Sequence, residues 1–175
     1  MLCPACGSEN IEGIDRCENC LAPFRDLDVP RADAAEGLVR SVMEDRLSQL
    51  DYDDPILVSG DTPAGEVAQR MKAARSGCAL VLQNGTLAGI FTEHDLLSQF
   101  TSTANAGSLT WRSESPVTQL MTTNPETLSE DDSVAAALNK MSLGKYRHLP
   151  VARADGTYSV ASIKSVLKYI AAEDW

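Results

Sequence analysis

The sequence predicts an α+β fold, two stacked copies of one unit preceded by a small, separately organised N-terminal segment. Periodicity on a long scale is the first observation. The order strand, helix, strand, strand, helix is legible twice, and matching features lie about 70 residues apart: Gly85 and Gly156 are separated by 71, Thr92 and Ser162 by 70. A repeat of that length describes an α+β unit that buries its apolar face against its neighbour. The second observation is that four of the five cysteines fall within the first 20 residues. The third is size: 175 residues, 43% apolar and 5% aromatic, suffice for one ordinary domain or two small ones.

Charge narrows the possibilities. The chain carries 25 acidic and 15 basic side chains, a formal charge of −10, and the excess is even: residues 1–50 hold 10 acids and 5 bases, residues 51–175 hold 15 and 10. No basic patch is offered to a phosphate backbone, which excludes a broad nucleic-acid surface. No apolar run approaches the roughly 20 residues of a membrane-spanning helix. The start, Met1-Leu2-Cys3-Pro4-Ala5-Cys6, has no charged leader followed by an apolar stretch. A cytoplasmic location is expected.

The first element is the cysteine cluster, residues 1–28. Cys3-Pro4-Ala5-Cys6-Gly7 and Cys17-Glu18-Asn19-Cys20 are two C-x-x-C pairs separated by ten residues. Each two-residue gap lets one tight turn aim two thiolates at one ion, and two turns complete a tetrahedron of soft ligands. Zinc is favoured over iron of the rubredoxin sort. It is also favoured over a pair of disulfides, because a reducing cytosol opposes them and adjacent C-x-x-C disulfides are strained. The knuckle resembles that of short zinc ribbons. With four protein ligands no coordination position stays open, so the expected zinc is structural. Residues 1–28 carry six acids against Arg16 and Arg25; a protein-docking or architectural role is therefore expected over nucleic-acid binding.

Residues 29–50 are expected as a connector helix, since Ala35, Leu38, Val39, Val42, Met43, Leu47 and Leu50 recur at spacings of three and four. The first repeat, 51–100, then opens with the strand Ile56-Leu57-Val58. Thr62 is the expected N-cap, Pro63 the first helical residue, and the helix runs to about Arg75. Cys78 to Leu82 and Leu87 to Phe91 form a hairpin about Asn84-Gly85, a pair that favours a type I′ turn, and a second helix opens at Thr92. The Ser/Thr/Ala/Asn/Gly-rich stretch from Ser98 to Thr110 reads as flexible, which assigns residues 101–116 to a loop. The second repeat, 117–175, repeats the order: Glu126-Thr127-Leu128 as strand, Ser129 as cap region, and a helix from Val134 through Met141. His148 to Ala152 and Tyr158 to Ala161 follow as a hairpin about Asp155-Gly156, and a closing helix spans Ser162 to Ile170.

Three of these segments carry a resemblance. Gly89-Ile90-Phe91-Thr92-Glu93-His94-Asp95 resembles the Gly-Ile-x-Thr-x-x-Asp signature of CBS domains, and Arg147-His148-Leu149-Pro150-Val151 resembles their Arg-His-x-Pro-Val strand. Met121-Thr122-Thr123-Asn124-Pro125, just ahead of the second short strand, is similar to that family's repeat entrance. The resemblance covers residues 51 to 172 as a tandem pair, and it implies a regulatory module that takes adenosine-containing ligands and associates into flat dimers.

Taken by themselves, the residues at the first strand-to-helix junction suit an anion. The Thr92 hydroxyl and the first-turn amides point out of a helix end that favours phosphate. Asp95 can accept both hydroxyls of a ribose. Gly89 permits close backbone approach, and Ala79, Leu80 and Ile90 are placed to wall an adenine. Thr-x-x-Asp is also close to a capping box, which needs no ligand. The family resemblance implies that this Thr and Asp hold the phosphate and ribose of adenosine ligands. It implies further that the strand of Arg147, His148 and Pro150 lines the cleft. In the second copy Ser159 replaces the Gly and Ser165 the Asp, while Ser162 keeps only the hydroxyl, so that site is expected to have lost its ribose grip.

Other residues read as ordinary. His94 is expected to be solvated on the first turn of its helix, and Cys78 to be a buried small side chain. No catalytic constellation is present in the sequence, and no enzyme is expected. The expected function is a regulatory module that senses AMP, ADP, ATP or S-adenosylmethionine as a homodimer, with the zinc ribbon docking a protein partner; the alternative is a ligand-free structural adaptor.

Overall fold

The structure is a computed structural model that describes residues 2–3, 5–11, 16–20, 22, 37–52, 54–103 and 111–172, without the side chains of 101–103. In chain order its elements are α1 (Leu38–Glu44), β1 (Leu57–Ser59), α2 (Ala64–Ala74), β2 (Cys78–Gln83), β3 (Thr86–Thr92), α3 (Glu93–Thr103), β4 (Thr122–Thr123), β5 (Leu128–Ser129), α4 (Val134–Gly144), β6 (His148–Ala152), β7 (Tyr158–Ser162) and α5 (Ile163–Ala172). The fold is α+β, as expected. Among the described residues no helix is long and apolar enough to cross a membrane.

Both halves of the 70-residue periodicity appear in the backbone. Ala64, Val67 and Met71 are the buried positions of α2, and Val134, Ala137 and Met141 those of α4. The spacing i, i+3, i+7 makes one apolar stripe on each helix. Each helix also ends on a left-handed residue, Arg75 with φ 52° and Lys145 with φ 56°. Elements gather into two compact units whose borders are not those of the repeats: one holds residues 52–128 and 148–162, the other the described residues up to Asp51 with 129–147 and those from Ile163 onward.

In the first of these units β1, β2, β3 and β4 form a sheet in that order. Asn84 and Gly85, with φ of 51° and 79°, supply the two left-handed residues that a type I′ turn requires between β2 and β3. Along that hairpin Val81 faces Gly89 but Leu82 faces Leu87, so Ala88 bulges out of β3. Strands β6 and β7 pair without a bulge, yet both hairpins span fifteen residues, Cys78 to Thr92 and His148 to Ser162, because the residue bulged from β3 is matched by a longer turn ahead of Tyr158. Strand β1 runs parallel to β2, and β4 runs antiparallel to β3. One face of the sheet packs Val58, Ala79, Val81 and Phe91 with Val67 and Met71 of α2. On the other face Cys78, Leu80 and Ile90 meet Tyr158 and Val160 of β7.

Helix α2 begins at Ala64 with Pro63 as its N-cap, one residue later than the expected Thr62 cap. Its first amides need no hydroxyl, since Ala64 N and Gly65 N donate to the carbonyls of Ser115 and Ser113 at 2.9 and 2.8 Å. Residues 111–116 carry no helix or strand, as expected of the loop, and within them the carbonyls of Ser113 and Ser115 cap the helix. The helix α3 runs through Ser98 to Thr103, where a flexible stretch was expected. Its polar residues are tolerated because the Ser98 hydroxyl donates to Asp95 O at 2.7 Å, and because Phe100 stacks on Trp111 with ring centroids 5.9 Å apart. The remainder of the expected loop, 104–110, lies outside the described residues.

In the other unit the expected 29–50 helix is present, among the described residues, as α1 and a single 3-10 turn at Leu47–Gln49. Asp45 and Arg46 turn extended, with ψ of 140° and 154°, because this segment pairs with the chain ahead of α4. Leu47 N donates to Asp132 O at 2.8 Å, Ser48 N to Glu130 O at 2.9 Å, and Val134 N to Asp45 O at 3.0 Å. Leu47 and Leu50 are buried there. Residues 29–36 lie outside the described set. The cap of α4 is Ser133, whose Oγ accepts from Ala136 N at 3.2 Å, and not Ser129. Ser129 N instead donates to Asp132 Oδ2 at 2.8 Å in the turn ahead of the cap. Tyr169 and Lys168 of α5 tie the helix to Asp45 and Asp51 at 2.7 and 3.2 Å.

Gly89 is the most closely approached of the described glycines of the sheet unit. A Cβ there would lie 2.4 Å from Met121 Sδ and 2.7 Å from Thr122 O. Gly89→Ala is therefore expected to destabilise the protein by about 1–3 kcal/mol, read as a lower urea midpoint at unchanged slope.

Candidate functional site

Thr92 closes β3 and Asp95 lies in the first turn of α3, so chain geometry alone brings them together. Asp95 Oδ2 accepts from Thr92 N at 2.8 Å and from Thr92 Oγ1 at 2.7 Å, and Asp95 N donates back to Thr92 Oγ1 at 3.3 Å. That is a reciprocal capping box. Glu93 N, next in line, donates to Gly77 O at 3.0 Å. The second carboxylate oxygen has a partner from another element: Thr122 Oγ1 donates to Asp95 Oδ1 at 3.1 Å.

Thr122 reaches Asp95 because β4 is seated on β3, Thr122 opposite Ile90 and Thr123 opposite Gly89. The close approach that Gly89 permits is thus taken by the chain itself. Immediately beyond β4, Asn124 is left-handed at φ 46°, and its amide donates to the carbonyl of the bulged Ala88 at 3.3 Å. From this turn the chain lines a cavity of about 330 Å³, formed by Leu87, Asn124, Pro125, Thr127, Ala152 and Tyr158. Its size falls at the lower end of small-molecule sites, and its lining mixes apolar walls with an amide and two hydroxyls. The Tyr158 hydroxyl accepts from Leu87 N at 3.5 Å.

None of the ten residues expected to bind a nucleotide lines this cavity. Leu80 and Ile90 are brought together, but against Tyr158 and Val160 in a closed apolar cluster. Ala79 is not with them, since strand alternation turns it to the opposite face, towards Val67 and Phe91. It does not wall the same space as Leu80. Pro150 is fully buried and pairs with Val160. His148 and Ser162 face each other at the ends of β6 and β7, as Cys78 and Thr92 do on β2 and β3. The His148 ring lies where a side chain at position 77 would be: a Cβ on Gly77 would come 2.6 Å from His148 Cε1. Arg147 is exposed and belongs to the other unit. In the second copy Ser159 is buried and its Oγ accepts from Arg153 Nε at 2.6 Å, while Ser165 is buried within α5. The lining residues were missed because they come from four separate segments; Asn124-Pro125, a turn signal just ahead of a strand, was the one local hint.

The four N-terminal cysteines do converge. Their Sγ atoms all lie within 4.8 Å of one another, with Cys3 to Cys20 and Cys6 to Cys17 each at 3.6 Å. All are free thiols. For metal–sulfur bonds of about 2.3 Å a tetrahedron has edges of about 3.8 Å, so the cluster fits one ion with four sulfur ligands. Local hydrogen bonds set the knuckles: Cys3 N donates to Ser8 O, Gly7 N to Cys3 O and Cys17 N to Ala22 O, all at 2.8 Å. Gly7, at φ 72°, supplies the left-handed residue of the first knuckle. Hydrogen bonding with Ser8 lowers the Cys6 pKa to about 6, whereas burial raises that of Cys3.

Two α+β copies of one strand-helix-strand-strand-helix order, the first with a capped Thr-x-x-Asp junction, define a tandem-repeat protein. The CBS domain family matches residues 39–102 and 117–172, and the chain belongs to it. The first match begins inside the segment expected as connector, and the cysteine cluster precedes both. The CBS domain-containing protein CBSCBSPB5 of Arabidopsis thaliana is 34% identical over 145 residues, which is 82% of this chain but 25% of that protein. The chain therefore spans about a quarter of that relative's length. Among solved structures, the CBS-domain protein ATU1752 from Agrobacterium tumefaciens is 28% identical with a TM-score of 0.56, covering 66% of this chain and 88% of that one. PAE2072 from Pyrobaculum aerophilum, solved with AMP, is 22% identical with a TM-score of 0.60 over 73% of this chain and 98% of that one; at this identity the likeness is one of fold.

Cys78 takes no part in either site. It is 3% exposed, and burial pushes its thiol up to about 12. Alkylation of the native protein at pH 8 is expected to leave Cys78 unmodified, and alkylation after denaturation to label it, as peptide mass mapping would read.

Proposed function

We propose that the chain is a regulatory module that binds an adenosine-containing nucleotide, AMP, ADP, ATP or S-adenosylmethionine, at the Thr92–Asp95 junction of the first repeat. One observation carries this reading: Asp95 is linked through Thr122 to the turn whose next residues, Asn124 and Pro125, line the 330 Å³ cavity. The carboxylate would hold the ribose and the cavity the base, with Tyr158 and Pro125 offering apolar faces and Asn124 an amide for its edge. The Thr92 end of α3 would take the phosphate, with His148 of the same unit as a further candidate. Bound AMP in a fold neighbour supports the ligand class. Ser165 in place of the carboxylate supports a single working site. The reading is of a binding protein and not an enzyme. A homodimer belongs to it, and is supported by Leu97 and Phe100 exposed on α3 and, in the other unit, Ile163 and Leu167 exposed on α5.

The cysteine cluster is read as a structural zinc site of Cys3, Cys6, Cys17 and Cys20. Zinc would hold together a segment too small to fold on its own apolar surface, contributing on the order of 10 kcal/mol. Leu2 and Ile11 are exposed on it and suit contact with a protein partner. One observation favours the second reading, a ligand-free adaptor: Asp95 already has three donors within the chain.

A thermal-shift and calorimetric screen with the four ligands separates the two. Ligand at one hundred times its dissociation constant is expected to add about 2.7 kcal/mol of stability, and Asp95→Ala to abolish the gain. No response to any of them supports the adaptor, as does partner recovery indifferent to nucleotide. For the cluster, protein purified without chelator is expected to hold about one equivalent of zinc, with the four thiols reactive only after chelation. Less than about half an equivalent, with four thiols already free, removes the zinc assignment.

A further inference from the structure

Asp95 accepts three hydrogen bonds, and they differ in kind. Two come from Thr92, three residues away, and belong to the helix cap; the third comes from Thr122, 27 residues along the chain. A carboxylate offers about four acceptor positions. A vicinal diol brings two donors, one more than the group has room for while Thr122 stays in place. We propose that Thr122 is a gating residue of the nucleotide site, its hydroxyl competing with the ligand's ribose for Asp95 Oδ1 and so setting both affinity and selectivity for the diol. The inference rests on the nucleotide reading above.

The geometry makes the competition local and reversible. Thr122 sits on a two-residue edge strand with both residues exposed, so its hydroxyl can leave Asp95 by rotation about a single side-chain bond. The backbone need not move, because β4 is held by its pairing with Ile90 and Gly89 and by the fit of Met121 over Gly89. The cap bonds from Thr92 to Oδ2 stay in place throughout, which keeps the carboxylate aimed while Oδ1 is exchanged. A ligand that must first displace an internal donor binds more weakly by the fraction of time the site is free.

Calorimetric titration with AMP and with 2′,3′-dideoxy-AMP tests the proposal on the unmodified chain, Thr122→Val and Thr122→Ser. Valine keeps the shape and strand preference of threonine without the hydroxyl, and serine keeps the hydroxyl. The expected result is that Thr122→Val binds AMP about fivefold more tightly, Thr122→Ser binds it as the unmodified chain does, and the dideoxy compound binds all three alike. AMP bound equally or more weakly by Thr122→Val overturns the gate while leaving the nucleotide reading intact. An equal gain for the dideoxy compound also overturns it, since the diol is then not what competes. AMP bound by none of the three removes the gate and, together with the ligand screen, the nucleotide reading.

Discussion

Where β4 crosses Gly89 there is no room for a single methyl group, and the arrangement of the sheet unit follows from that. Met121 and the carbonyl of Thr122 occupy the space of the missing side chain. The start of the second repeat is thereby laid along the sheet of the first, the Thr122 hydroxyl comes to Asp95, and the left-handed Asn124 turns the chain into the wall of the cavity. A glycine that sequence reasoning reserves for a ligand is used by the protein to join its own repeats.

The long periodicity was legible because it rests on local chemistry: turn residues at Asn84-Gly85, an apolar stripe on each middle helix, and a hydroxyl at each strand-to-helix junction. Features set by distant partners were not. Helix propensity carried residues 29–50 as one helix, but Asp45 to Ser48 make better use of their backbone by pairing with residues 130–134. Ser98 to Thr103 looked like loop because composition does not reveal that Phe100 will find Trp111. Strand β4 is two residues long and has no pattern to announce it.

The site divides in the same way. Thr92 and Asp95 are three residues apart, so any α-helix beginning there brings them together. The four cysteines converge because two C-x-x-C knuckles can each be built by one turn. The cavity, by contrast, draws Leu87, Asn124, Ala152 and Tyr158 from separate segments, and the expected wall of Ala79, Leu80 and Ile90 failed on alternation: neighbours on a strand face opposite sides of the sheet. Burial of Leu80 and Ile90 against Tyr158 and Val160 shows what those side chains do instead.

The bulge at Ala88 makes the two copies unequal in their main chain as well as their side chains. Ala88 has no partner across the hairpin, and its carbonyl receives the Asn124 amide, anchoring the turn that opens the cavity. Pairing between β6 and β7 is continuous, so the second copy has no bulged carbonyl at the matching position. Placing the glycine and aspartate of the first copy at Ser159 and Ser165 would thus match its side chains without matching its backbone. The two hairpins are equally long, so the copies differ in where one residue is placed, in the return strand of the first and in the turn of the second, a kind of change that comparison of side chains alone does not weigh.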